Sequence, residues 1–123
     1  MAKRILMLVV LTALMLSVVG VVGAQDAVQV GPITQRILDR GSLICGVHPG
    51  LAGFGFVNDA GEYEGFDVDI CRAVAAAILG DATKVEFKPL DAASRQAAIQ
   101  SEEVDMMSRN TTWTFSRDAT WGA

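Results

Sequence analysis

Ser108-Arg109-Asn110-Thr111-Thr112-Trp113-Thr114-Phe115-Ser116-Arg117-Asp118 carries the chemistry of this chain. It follows a short apolar run, Val104 to Met107, that reads as a buried strand. Such a strand passing into hydroxyls, an amide and two arginines has left the core for a polar ligand. Threonine hydroxyls, backbone N–H groups and a guanidinium fork together make a cradle for a carboxylate. Arg117 can supply the fork, Thr112 a hydroxyl and its N–H, and Asn110 a carbonyl for an ammonium, with Arg109 the second cation of the set. Phe66 and Leu51 could wall the site with apolar surface. Carboxylate and ammonium on one carbon describe an amino acid. Each charge-assisted bond contributes about 1.5–3 kcal/mol, so a few of them reach micromolar binding, about −8 kcal/mol.

Other chemistries fare worse. His48, the one histidine, follows the first core strand and could act as a general base beside an acid. No Gly-x-Ser-x-Gly elbow accompanies it, and His48 reads better as a polar residue lining a cleft. Glu102, Glu103 and Asp105 cluster at a helix-to-strand turn, where a solvated face is the ordinary explanation and metal-ligand spacing is lacking. Gly50, Gly53 and Gly55 precede no Gly-Lys-Ser/Thr, so a phosphate loop is not indicated. No catalytic residue, metal or cofactor is expected.

The elements that must position these groups follow from pattern. Lys3 and Arg4 precede an uncharged run from Ile5 to Val22, and Val22-Gly23-Ala24 offers the small residues of a cleavage site. Residues 1–24 read as a secretory signal peptide, cleaved before Gln25. The competing reading is a membrane anchor, since 18 apolar residues approach a span. Export places the chain in a periplasm. Cleavage leaves 99 residues with eight basic and fourteen acidic side chains, a net charge of −6. That acidic balance argues against nucleic acid as a partner. The remaining length suffices for one modest core.

Residues 25–33 read as a leader. Thr34 to Arg40 reads as a short helix, Thr34 its N-cap and Gly41 its stop. Leu43 to Val47 is the first core strand. Phe54 to Val57 and Tyr63 to Phe66 flank the turn formers Asn58-Asp59-Ala60-Gly61 and suggest a hairpin. Asp67 is expected to cap a helix from Val68 to Leu79, with Val68, Cys71, Ala75, Ile78 and Leu79 inward and Gly80 at its end. Lys84 to Lys88 alternates as a strand, Pro89 ends it, Asp91 caps a helix through Gln100, and Val104 to Met107 is the third strand. Strands alternating with helices predict a parallel βαβαβ core of the α/β class. Cys45 and Cys71, exported together, are a candidate disulfide; two buried free thiols are the alternative.

Leu43-Ile44-Cys45-Gly46-Val47, Gly65-Phe66-Asp67-Val68-Asp69-Ile70-Cys71-Arg72-Ala73-Val74 and Val104-Asp105-Met106-Met107-Ser108-Arg109-Asn110-Thr111-Thr112-Trp113-Thr114 together resemble the family 3 extracellular solute-binding proteins of ABC transporters, over residues 34–122. The likeness is greatest to general L-amino-acid-binding periplasmic proteins. It implies a two-lobed receptor that closes on a free L-amino acid and passes it to an inner-membrane ABC permease, working as a monomer. It also implies that Phe66 packs on the ligand, that Asn110 offers a carbonyl to the α-amino group, that Thr112 and Arg117 hold the α-carboxylate, and that Leu51 touches the ligand side chain. His48 departs from the family, standing where an acid or amide is usual. Residues 34–123 would then be part of a first lobe, with the second lobe absent and the chain an N-terminal piece of a longer product. A periplasmic dehydratase or cell-wall lyase, or a receptor's sensor domain, would share the architecture.

Overall fold

The computed structural model describes residues 29–121. The signal peptide and the start of the leader lie outside the described residues. Nine elements follow in order: α1 (Pro32–Arg40), β1 (Leu43–Val47), β2 (Phe56–Val57), β3 (Tyr63–Glu64), α2 (Phe66–Leu79), β4 (Val85–Pro89), α3 (Arg95–Gln100), β5 (Met106–Met107) and α4 (Phe115–Trp121).

The main sheet is parallel, in the order β4-β1-β5. β1 is the central strand and pairs with β4 from Leu43↔Val85 to Val47↔Pro89, and with β5 at Cys45↔Met106 and Gly46↔Met107. A central parallel strand is covered on both faces, and β1 is almost wholly buried. Its alternation divides the core. Cys45 and Val47 pack with Val68 and Cys71 of α2, joined by Tyr63, Val85, Phe87 and Met106. Leu43 extends that face toward Ile37 of α1 and Ala75 of α2. Ile44 and Met107 pack with Leu90, Ala98 and Val104 on the α3 side. Gly46 leaves room for the Leu90 side chain, which would have to shift if a Cβ stood there. Burying a Leu or Val in such a core contributes about 1.5–3 kcal/mol each.

The inward stripe of α2 is as its spacing predicts, and Gly80 closes the helix in the left-handed conformation at φ 71°. The helix starts differ from expectation. α1 begins at Pro32, inside the segment read as leader, because proline suits the first helical position and Gly31 precedes it. Thr34 is therefore not its N-cap. α2 begins at Phe66 with Gly65 as its cap residue, so Asp67 lies in the first turn and does not cap. Gly65 stands at φ 120°, and a Cβ would collide with the Phe54 backbone, so only glycine fits. Asp91 organises the turn before α3: its Oδ1 accepts from the Ala93 and Ser94 N–H groups and the Ser94 hydroxyl, and the helix itself starts at Arg95. β5 is confined to Met106–Met107, with Val104 buried just ahead of it.

Cys45 of β1 and Cys71 of α2 form a disulfide, their Cα atoms 6.1 Å apart. Glu102 and Glu103 of the acidic cluster are exposed as expected, but Asp105 is not on a solvated face. The Asp105 side chain is 1% exposed, ion-paired with Arg40 and Arg36 and accepting the Ile44 N–H at 2.8 Å. Glu102 pairs with Arg36, and Glu103 with Lys88. α1 supplies two of those cations from more than 60 residues away, a convergence that spacing cannot reveal.

Candidate functional site

All three main strands point their carboxyl ends at one edge, where open α/β sheets bind ligands. His48 follows β1, Leu90 and Asp91 follow β4, and Ser108 to Thr112 follow β5. Above that edge stands the amino end of α2, fixed by two constraints. The disulfide ties Cys71, one turn beyond Asp67, down to β1. The Phe66 and Asp67 N–H groups donate to the Gly53 and Phe54 carbonyls, docking the helix start on the excursion between β1 and β2.

A cavity of about 480 Å³ lies between these segments, lined by Phe54, Phe66, Asp67, Arg109, Asn110, Thr111 and Thr112. Phe66 is 62% exposed and meets Phe54 edge-to-face, ring centroids 6.5 Å apart. Exposed aromatic surface of this kind suits a ligand or a partner surface. Asp67 is buried at 7% exposure, and its Oδ2 is buried without a hydrogen-bond partner. A buried carboxylate oxygen left unpaired is costly, so it marks a position that a donor would relieve.

Arg109 is half-buried. Its Nη1 donates to the Leu90 carbonyl and its Nη2 to Asn110 Oδ1 at 3.1 Å, while Nε is buried and unpartnered. Loss of solvent lowers its pKa, the neighbouring Arg95 cation lowers it further, and Asp91 and Asp67 oppose the shift. The group stays a cation, since guanidinium does not lose its proton in proteins. Arg95 is buried, donates to Thr111 Oγ1 at 3.2 Å and leaves its own Nε unpartnered.

A second, smaller cavity of about 220 Å³ adjoins the first and shares Thr111 and Thr112; Trp113, Arg117, Asp118 and Trp121 complete it. Thr114 Oγ1 accepts the Arg117 N–H at 3.2 Å and so caps α4. Arg117 and Thr112 do converge, but through the backbone: Arg117 Nη1 donates to the Thr112 carbonyl at 2.6 Å. The guanidinium also lies 5.6 Å from the Trp121 ring centre, as does that of Arg95.

Of the residues singled out by sequence, Phe66, Arg109, Asn110 and Thr112 line the larger cavity, and Arg117 the adjoining one. His48 and Leu51 line neither. His48 Nδ1 accepts the Gly50 N–H at 3.0 Å, which turns the ring onto its own loop, and Leu51 bridges to Gly55. Asp67 and Phe54 were missed as site residues. Asp67 reads locally as a cap, and only its burial without a partner marks it out.

Comparison with known proteins agrees with this fold. Residues 43–122 match the model of the bacterial extracellular solute-binding proteins, family 3. The glutamate/glutamine/aspartate/asparagine-binding protein BztA of Rhodobacter capsulatus is 57% identical over 79 residues, 64% of this chain and 23% of that protein. The general L-amino acid-binding periplasmic protein AapJ of Rhizobium johnstonii is 51% identical over 83 residues, 68% of this chain and 24% of that protein. An ABC transporter/periplasmic binding protein from Brucella ovis, solved with glutathione bound, superposes at a TM-score of 0.72 with 55% identity, covering 76% of this chain and 29% of that one. The chain spans about a quarter of the length of the curated relatives it matches. On sequence and fold alike, the chain belongs to the bacterial extracellular solute-binding proteins of family 3.

Proposed function

We propose that this chain forms part of the first lobe of a periplasmic amino-acid receptor serving an inner-membrane ABC permease, and that it binds without catalysing. The observation that carries the reading is the larger cavity at the carboxyl edge of the sheet. It gathers an exposed aromatic, hydroxyls, an unpartnered acid and a cation with donors in reserve. The Thr112 hydroxyl and N–H face an α-carboxylate, and Arg117 reaches it by exchanging the Thr112 carbonyl for the ligand. The Asn110 carbonyl takes the α-ammonium, and Phe66 covers the aliphatic stem. An enzyme on this architecture would find His48 Nδ1 already occupied by the Gly50 N–H.

The test is a two-dimensional NMR titration of the chain with L-alanine up to tens of millimolar, a range that captures weak binding by one lobe. Shifts confined to residues 54, 66–67 and 109–117 support the reading. Absence of saturable shifts with any L-amino acid rejects it.

A further inference from the structure

Arg117 is the cation on which the binding reading depends, yet it stands on a short helix that buries none of its residues. Its hydrogen bond to the Thr112 carbonyl cannot hold it once a ligand carboxylate takes that donor. Trp121 offers a hold of another kind. Arg117 and Trp121 stand four residues apart on α4, which puts them on one helix face. The guanidinium carbon lies 5.6 Å from the indole ring centre. Cation–π attraction acts at that distance and is strongest for tryptophan. Contact with the π face engages no N–H group, so the fork stays available.

Trp121 is itself held from the core side. The Arg95 guanidinium carbon also lies 5.6 Å from its ring centre. Arg95 is buried, opens α3 and donates to Thr111 Oγ1 at 3.2 Å. Ala98 of the same helix packs into the core with Leu90 and Val104. Gln100 Nε2 donates to the Thr120 carbonyl at 2.8 Å and joins the ends of α3 and α4. Contacts thus run from the core through α3 and the Trp121 ring to Arg117, and return to Thr112.

We propose that Trp121 is a positioning residue for ligand binding: sharing its ring with Arg95, it holds the Arg117 guanidinium in place while leaving the N–H groups free for the ligand's carboxylate. This rests on the amino-acid-binding reading above and adds the group that readies its cation. An arginine side chain loses much rotamer freedom when it is fixed, and order imposed before binding raises affinity.

The experiment is the L-alanine NMR titration, run on the chain and on Trp121→Leu, Trp121→Phe, Arg117→Ala and the Trp121→Leu/Arg117→Ala double variant, with the Arg117 Nε–H signal followed throughout. Trp121→Leu is expected to weaken alanine binding about threefold to tenfold, and Trp121→Phe to restore most of it. On the Arg117→Ala background the same change is expected to have no further effect, because the ring acts through Arg117. In the free chain the indole ring current displaces the Arg117 Nε–H signal, and Trp121→Leu is expected to abolish that displacement. Equal losses of affinity on both backgrounds would make Trp121 a packing residue and overturn the proposal. Tighter binding by Trp121→Leu also overturns it, since the ring would then compete with the ligand. Either result leaves the receptor reading standing. An Arg117 signal unmoved by Trp121→Leu overturns the proposal before any ligand is added. No binding of alanine by the unaltered chain removes both readings. Should Trp121→Leu fail to fold, the Arg117 signal and alanine affinity of Trp121→Phe, set against the unaltered chain, decide the matter.

Discussion

The half of the chain built on β1, α2 and β4 and the segment after β5 obey different rules. In the first, Leu43, Cys45, Val47, Val68, Cys71 and Ala75 lose all contact with water, and a disulfide joins strand to helix. In the second, α4 buries none of its residues, Trp113 is 71% exposed and Phe115 is 80% exposed. Its contacts are polar and mostly local: Arg117 to Thr112, Trp113 to Asp118, Thr114 capping α4. The first region supplies the free energy of folding. The second rests on it and carries groups whose bonds can be exchanged for a ligand's. A binding surface needs such exchangeable contacts, and a core cannot provide them.

The sharpest way to break that contrast is a cavity in the first region. Leu43→Ala should cost about 3–5 kcal/mol, whereas Phe115→Ala should change stability by no more than about 0.5 kcal/mol. Urea unfolding of both variants measures the difference, and equal losses would end the distinction. Opening the disulfide comes next. Cys71→Ser, or reduction of the unaltered chain, should cost about 3 kcal/mol for a loop of this separation, read as a lower urea midpoint. It should also weaken alanine binding, because the first turn of α2 loses its tether to β1.

A third test sharpens the other side. Arg117→Ala should leave stability nearly unchanged yet weaken alanine binding by about tenfold or more, the worth of a charge-assisted fork. Calorimetry or NMR titration reads it, and unchanged affinity would move the carboxylate elsewhere. The smallest effect concerns acid. Asp91 has a pKa lowered by the Ser94 N–H, then by the Ser94 hydroxyl and the Ala93 N–H. Its contribution is present above the unfolded value of 3.8 and is lost as pH falls through the lower folded value. Asp91→Asn should therefore flatten the acid limb slightly, moving the midpoint of acid unfolding by roughly a few tenths of a pH unit.

Much of the fold was legible beforehand because it depends on short-range pattern. The β1 run, the α2 stripe, the Asn58 turn and the Gly80 stop follow from alternation, helical spacing and turn chemistry within a few residues. Helix starts were misplaced because Gly31 and Gly65, which offer no side chain, took the cap positions from Thr34 and Asp67. Asp105 was taken for a solvated acid because Arg36 and Arg40 come from a helix far back in the chain. Of the residues singled out for the site, Phe66, Arg109, Asn110 and Thr112 line one cavity, while His48 and Leu51 stand apart.

Sequence alone determined the α/β class, the parallel order of strands and helices, and the polar run after β5 that must serve something other than a core. Tertiary structure decided which polar groups find partners. Asp67 keeps a buried oxygen without a donor and Asp105 is saturated by two arginines, although both are aspartates beside apolar runs. Periodicity reports which side of an element a residue takes. Its partners arrive from segments tens of residues away, and only the folded chain brings those into range.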